Sequence, residues 1–259
     1  MAEDAILHSN ILGSSGKPFV ILHGFLGMGD NWKTLGKQFS QHGYQVHLVD
    51  QRNHGRSFWS DHFNYERLAK DLKYYCEQNH LKDIILLGHS MGGKTAMTFA
   101  TEFPDLVSKL IIADISPHFY PVHHEAILNG LSALDFNRIQ SRSEADNMLS
   151  DYVRDFGTRQ FLLKNLYWVE KGRLGLRINL KILKKEVAEI GEPLPAHSIF
   201  KKDVLFLRGD RSEYIGIDDE TIISNHFPRA KIKTIPNAGH WLHAENPKAF
   251  FEAVIKFID

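Results

Sequence analysis

The sequence predicts an α/β fold: a mostly parallel, doubly wound sheet with helices on both faces and an inserted helical segment over one edge. Three observations point to it. Short, continuously apolar runs alternate with longer amphipathic ones, the mark of parallel strands joined by crossover helices. The rhythm breaks once, between about 117 and 200, where helix-like segments follow one another without a buried strand. Finally, an apolar run at 84–87 leads straight into Gly88-His89-Ser90-Met91-Gly92 and then a helical stretch, so that a serine sits on a strand-to-helix turn.

Taken in order, residues 19–22 read as the first buried strand, 31–41 as a helix and 44–49 as a strand. Residues 65–78 read as a helix that packs Leu68, Leu72, Tyr75 and the single cysteine, Cys76, on one face. After the strand at 84–87 comes a helix over 94–102, stopped by Pro104, and a strand at 110–113. In the interruption, 125–134, 144–156 and 158–166 are helix-like. The alternation resumes with a strand at 204–207, a helix at 219–226, a strand at 231–235 and a closing helix at 247–258. The expected organisation is a core of residues 1–116 and 199–259 with a helical cap, 117–198, of the kind that closes over a pocket.

Composition excludes several functions. Hydrophobic residues make up 43% of the 259 residues, enough for a large core, and Lys plus Arg balance Asp plus Glu at 31 each. No excess charge points to nucleic acid or an anionic membrane surface. No apolar run approaches a membrane span. The opening Met1–Asp4 lacks the charge and hydropathy of a signal peptide, and one cysteine forms no internal disulfide, so a cytoplasmic setting is expected.

A serine hydroxyl becomes a useful nucleophile only beside a base. Of fifteen histidines, His240 follows the last expected strand, which brings it to the same sheet edge as Ser90. His243 is expected to start the next segment, His123-His124 to lie on a solvated cap face, and His8, His42, His47, His62, His80 and His226 to serve surface or packing. The turn His23-Gly24-Phe25 follows the first strand, so the backbone N–H groups of Phe25 and Met91 form a candidate oxyanion hole, with His23 fixing the loop. Phe25, Leu26, Phe119, Tyr120, Leu166 and Trp168 are candidate substrate contacts. Lys94 is expected on a solvated helix face, and Asp50 and Arg52 as ties between loops.

The ordered motifs, HGFLG at 23–27, DQRNHGRS at 50–57, GHSMGG at 88–93 and NAGHW at 237–241, resemble the α/β-hydrolase superfamily over most of the chain. That resemblance implies the α/β-hydrolase fold and a third, acidic partner for the histidine, usually in a G-D-x-D pattern after the penultimate strand. Here that stretch reads Gly209-Asp210-Arg211-Ser212-Glu213, with serine at the usual acid position. Asp210 and Glu213 stay open as candidates, and the superfamily's second placement, after the preceding core strand, falls on Asp114. Asp114-Ile115-Ser116-Pro117, Asn53-His54-Gly55 and Asp30-Asn31-Trp32 together resemble one branch, the bacterial YbfF-type acyl esterases, which implies Asp114.

The expected activity is a serine carboxylesterase acting on short- to medium-chain acyl esters, or thioesters such as acyl-CoA, through Ser90, His240 and Asp114. No cofactor or metal is expected, and the partner is a small molecule, with monomer and homodimer both open. Carbon–carbon bond hydrolysis, cofactor-free haloperoxidation and acyl transfer keep the same serine. A non-catalytic hydrolase-like binding protein is disfavoured, because the chain retains both nucleophile and base.

Overall fold

A computed structural model describes residues 5–259 of the chain. Met1–Asp4, read above as lacking a leader's pattern, lies outside the described residues. Among the described residues nine strands occur: β1 (Ser9–Leu12), β2 (Pro18–Leu22), β3 (Gln45–Val49), β4 (Ile84–His89), β5 (Val107–Ala113), β6 (Leu166–Glu170), β7 (Arg173–Leu176), β8 (Val204–Gly209) and β9 (Ala230–Ile235). Seven form one sheet in the order β1-β3-β2-β4-β5-β8-β9, parallel except for the antiparallel edge strand β1. The helices are α1 (Lys33–Gln41), α2 (Tyr65–Gln78), α3 (Met91–Glu102), α4 (Glu125–Ala133), α5 (Arg142–Ser150), α6 (Phe156–Leu163), α7 (Leu180–Lys185), α8 (Asp219–His226), α9 (Leu242–Glu245) and α10 (Pro247–Ile258).

Continuous apolar strands are buried on both faces because their side chains alternate. Val20, Leu22, Ile84, Leu86, Leu110, Ile112, Val204 and Phe206 enter a core that includes residues of α2, α3 and α8. Their neighbours Phe19, Ile21, Ile85, Leu87, Ile111, Ala113, Leu205 and Leu207 enter the opposite core with α1 and α10. Strand order reverses at β2: the chain moves from β2 outward to β3, then returns past β2 to β4. The loops after β2 and β4 therefore face each other across the switch point, where open α/β sheets hold their ligands.

A third apolar cluster joins residues of α4–α7 to Phe25, Leu26 and Met91 at the carboxyl edge of the sheet. This stretch is not purely helical, as the sequence led us to expect. It contains the antiparallel hairpin β6–β7, whose strands are largely solvent-facing. Of the elements read from the sequence, the other boundaries agree to within about three residues, except that α5 ends at Ser150, well before the expected 156. Helix α3 starts directly after Ser90, and for β1, α7 and α9 the sequence sets no expected bounds.

Candidate active site

Ser90 takes φ 53° and ψ −121°, a left-handed conformation for a residue with a side chain. The turn is fixed from both sides. Ser90 N donates to Ala113 O at 3.0 Å, and Gly93 N and Lys94 N donate to Ser90 O. The flanking glycines serve close packing rather than the turn's dihedral angle. A Cβ at Gly88 would lie 2.1 Å from Gly92 O, and one at Gly92 2.5 Å from His23 O. The serine is thus pressed off the end of β4 at the N-terminus of α3, where the helix dipole favours negative charge.

His240 Nε2 stands 3.0 Å from Ser90 Oγ, and His240 Nδ1 stands 2.8 Å from Asp114 Oδ2. The carboxylate accepts only, so Nδ1 carries the proton and Nε2 is left as acceptor for the serine hydroxyl. Asp114 is fully buried at the end of β5, itself at φ 54°. Its Oδ1 accepts from Gly209 N at 3.0 Å, and its Oδ2 also accepts from the Ser212 hydroxyl. Ser212, which stands where a carboxylate was anticipated, is therefore a partner of Asp114. Asp210 instead accepts from Asn237 N and Ala238 N at 2.8 and 2.9 Å, bonds that hold its carboxyl below the usual range and shape the loop carrying His240. Glu213 is exposed and makes no bond to His240.

The imidazole is further confined. Tyr214 stacks on it at 3.9 Å between ring centroids, and His89 Nε2 bonds to His240 O at 2.8 Å. His243 lies in the first turn of α9, the segment it was expected to start, and is stacked on Trp32. Across the switch point, His23 fixes its loop as expected. Its Nδ1–H donates to Gly24 O and its Nε2 accepts from Gln51 N, while burial lowers its pKa to about 4 and keeps it neutral. Asp50 accepts from Gly29 N and Arg56 N, and Arg52 pairs with Asp71, so both tie loops together. Phe25 and Met91 are buried, and among the described residues neither backbone N–H donates to a protein acceptor.

Beside Ser90 lies a cavity of about 20 Å³, lined among others by Met91, Ile115, Tyr120, Val122, Ile190 and Tyr214. Of the anticipated substrate contacts only Tyr120 reaches it. Leu26 and Leu166 are packed within the third apolar cluster; Phe119 and Trp168 are 53% and 55% exposed. His124 lines the cavity against the Phe25 ring, contrary to the solvated placement expected of it, whereas His123 is exposed. Ile115, Val122 and Ile190 carried no sequence signal, since apolar residues in loops read as ordinary packing.

Lys94 departs from its expected solvated position. It is buried, with Nζ donating to Glu192 O at 2.8 Å and to His118 O, and burial lowers its pKa to about 7. A helix buried all round leaves no solvated face for a lysine, and Lys94 instead fastens both connections of the 117–198 segment to α3. Among the described residues, no group of three or more His, Cys, Asp or Glu side chains is arranged to hold a metal ion. No described helix is long and apolar enough to cross a membrane.

Residues 17–247 match the model of the family described as alpha/beta hydrolase fold. The chain belongs to the α/β-hydrolase family. The mouse sn-1-specific diacylglycerol lipase ABHD11 is 39% identical over 246 residues, covering 92% of this chain and 80% of that protein. Esterase YbfF of Escherichia coli is 31% identical over 245 residues, 93% of each chain. A solved structure described as a marine microorganism esterase superposes with TM-score 0.93 at 39% identity, covering 98% of this chain and 99% of that one. The expected esterase of the α/β-hydrolase fold, with a likeness to YbfF, agrees with these esterase- and lipase-named relatives.

Proposed function

We propose that this α/β-hydrolase is a serine carboxylesterase that cleaves short- to medium-chain acyl esters, and thioesters of the acyl-CoA kind, through an acyl-enzyme. The observation that carries the reading is the unbroken hydrogen-bonded series from the buried Asp114 carboxylate through His240 to the Ser90 hydroxyl on its strand-to-helix turn. His240 Nε2 takes the hydroxyl proton as Ser90 Oγ attacks the acyl carbonyl. The tetrahedral oxyanion accepts from the Phe25 and Met91 amides, and Asp114 stabilises the imidazolium. His240 then protonates the leaving alcohol or thiol, and in the second half-reaction takes a proton from water to release the acid and free Ser90.

Residues 117–198 act as a cap on the core of 1–116 and 199–259, supported by the apolar cluster shared with Phe25, Leu26 and Met91. A cavity of about 20 Å³ has room for about one water molecule. An acyl group therefore requires the walls around Val122 and Ile190 to give way, the more so the longer it is. With a single cysteine, Cys76, the chain forms no internal disulfide, which fits a protein of the reducing cytoplasm.

A fluorophosphonate probe tests the reading. Labelling on the peptide that contains Ser90, lost in Ser90→Ala, is expected; labelling elsewhere would overturn it. Hydrolysis of p-nitrophenyl esters and acyl-CoAs of graded length then fixes the substrate class.

A further inference from the structure

The turn above Ser90 is held in an unusual shape by two buried side chains that the reaction steps do not use. Gly27 N donates to Gly24 O at 3.0 Å, closing Gly24-Phe25-Leu26-Gly27 into a turn with Leu26 at φ 60°. A turn with φ above zero at its third residue ordinarily selects glycine, and leucine there is strained by about 1 kcal/mol or more. Leu26 keeps this conformation between two partners. Its N–H donates to His54 Nε2 at 3.2 Å, and its C=O accepts from Asn165 Nδ2 at 2.7 Å.

Both partners are fully buried, and each presents only one chemical face. His54 Nδ1–H donates to Arg52 O at 2.9 Å, which leaves Nε2 as an acceptor; burial lowers its pKa to about 3, so that acceptor stays unprotonated. Asn165 donates to Leu26 O and Leu162 O together, while its own Oδ1 has no partner among the described residues. Reversing the amide would aim an oxygen at two carbonyls, so its orientation is fixed and a buried acceptor is left unsatisfied. A flip of the Phe25–Leu26 peptide would turn a carbonyl toward the lone pair of His54. The turn rests on the nucleophile itself: a Cβ at Gly24 would lie 3.3 Å from Ser90 Cβ.

We infer that His54 and Asn165 are positioning residues that hold the Phe25 amide over Ser90, so that seating of the inserted segment and stabilisation of the oxyanion depend on the same turn. The inference rests on the proposed role of Phe25 N–H. It also gives the Asn53-His54-Gly55 motif a task, and it places a residue of the insert, 139 positions from Leu26 in sequence, in control of a core loop.

The test uses the intact enzyme with p-nitrophenyl butyrate and a trifluoromethyl ketone, whose adduct carries an oxyanion. Asn165→Leu and His54→Phe should lower kcat by about 10- to 100-fold with KM within about 3-fold. The inhibition constant of the ketone should rise by the same factor as kcat falls, His54→Gln should recover part of the loss, and Lys184→Ala, on the outer face of the insert, should do nothing. Nitrogen NMR of the unaltered protein supplies a readout that needs no substitution: His54 should be the neutral Nδ1–H tautomer, still neutral near pH 5. A folded Asn165→Leu with kcat and ketone affinity within about 3-fold of the parent would overturn the inference, as would an Nε2–H tautomer at His54. Absence of Ser90-dependent hydrolysis in the parent would instead overturn the functional reading on which the inference rests.

Discussion

Ser90, Asp114 and His240 stand on the ends of β4 and β5 and in the loop after β9, whereas the lining that faces them comes largely from the connections into and out of the 117–198 segment. Each member of the first group is fixed to neighbouring strands or their ends. Ser90 N donates to Ala113 O and Asp114 N to Leu207 O, the Asp114 carboxylate accepts from Gly209 N, and the Asp210 carboxylate accepts from Asn237 N of the His240 loop. The second group is bound to itself by Tyr120 N on Gly191 O and Leu194 N on Pro117 O. It is bound to the core by Asn179 N on Asn53 O together with the side chains of Lys94, on Glu192 and His118, and Asn165, on Leu26. Reacting groups on strand ends cannot drift without breaking the sheet. A lining carried on loops outside the sheet can change its volume at smaller cost, which would let one chemistry serve acyl groups of different size.

Substitutions on the two sides should therefore differ in kind. The largest effect falls on the strand-end group: Ser90→Ala should lower hydrolysis of p-nitrophenyl acetate by on the order of 10⁴-fold or more with an unchanged unfolding transition. Next, Asp114→Asn should cost on the order of 10³- to 10⁴-fold in kcat, since an amide no longer sets the tautomer of His240. Asp210→Asn and Glu213→Gln should stay within about 10-fold, and the reverse ranking in a steady-state assay would reassign the acid. On the insert side, Val122→Ala and Ile190→Ala should leave acetate hydrolysis nearly intact while raising kcat/KM for longer esters by about 10-fold, the scale of a methylene or two in an apolar pocket. An unchanged chain-length profile would show that this wall does not limit the acyl group.

The smallest effect per residue concerns acidity. Burial holds His23, His54 and His243 at about 4, 3 and 3, so they are neutral in the folded protein, while in the unfolded chain they take up protons near 6.5. Below pH 6.5 the unfolded state binds more protons, and stability is lost as pH falls toward about 4, by on the order of 1 kcal/mol per pH unit for each histidine. Urea midpoints should drop between pH 7 and pH 5, and His243→Phe should make that drop shallower. A flat profile would contradict the neutral, buried assignment.

The same contrast explains what the sequence could tell. Ser90 was legible because an apolar strand, a boxed serine and a helix are all local patterns. Asp114 was legible only indirectly, through the resemblance and the serine at 212, because hydrogen bonding between β5 and the loop after β8 is set by strand order. Strand β1, four half-exposed residues, has no clear alternation, and the hairpin β6–β7 faces solvent, so neither left the apolar run that marks a buried strand. Lys94 was misread because charge argues for solvent until a second segment is known to cover the helix. Asn165 gave no signal at all: a polar residue near the end of the helix-like stretch 158–166 reads as a solvated position, and only the fold brings it to Leu26.

The most direct test of the central claim is a rapid-mixing experiment with p-nitrophenyl butyrate, quenched in acid and followed by peptide mass mapping. The account predicts a burst of about one p-nitrophenol per enzyme wherever deacylation is the slower step. It also predicts a butyryl group on the Ser90 peptide, and the loss of both in Ser90→Ala. A butyryl group on any other residue, or steady turnover by Ser90→Ala at the parent's rate, would contradict it.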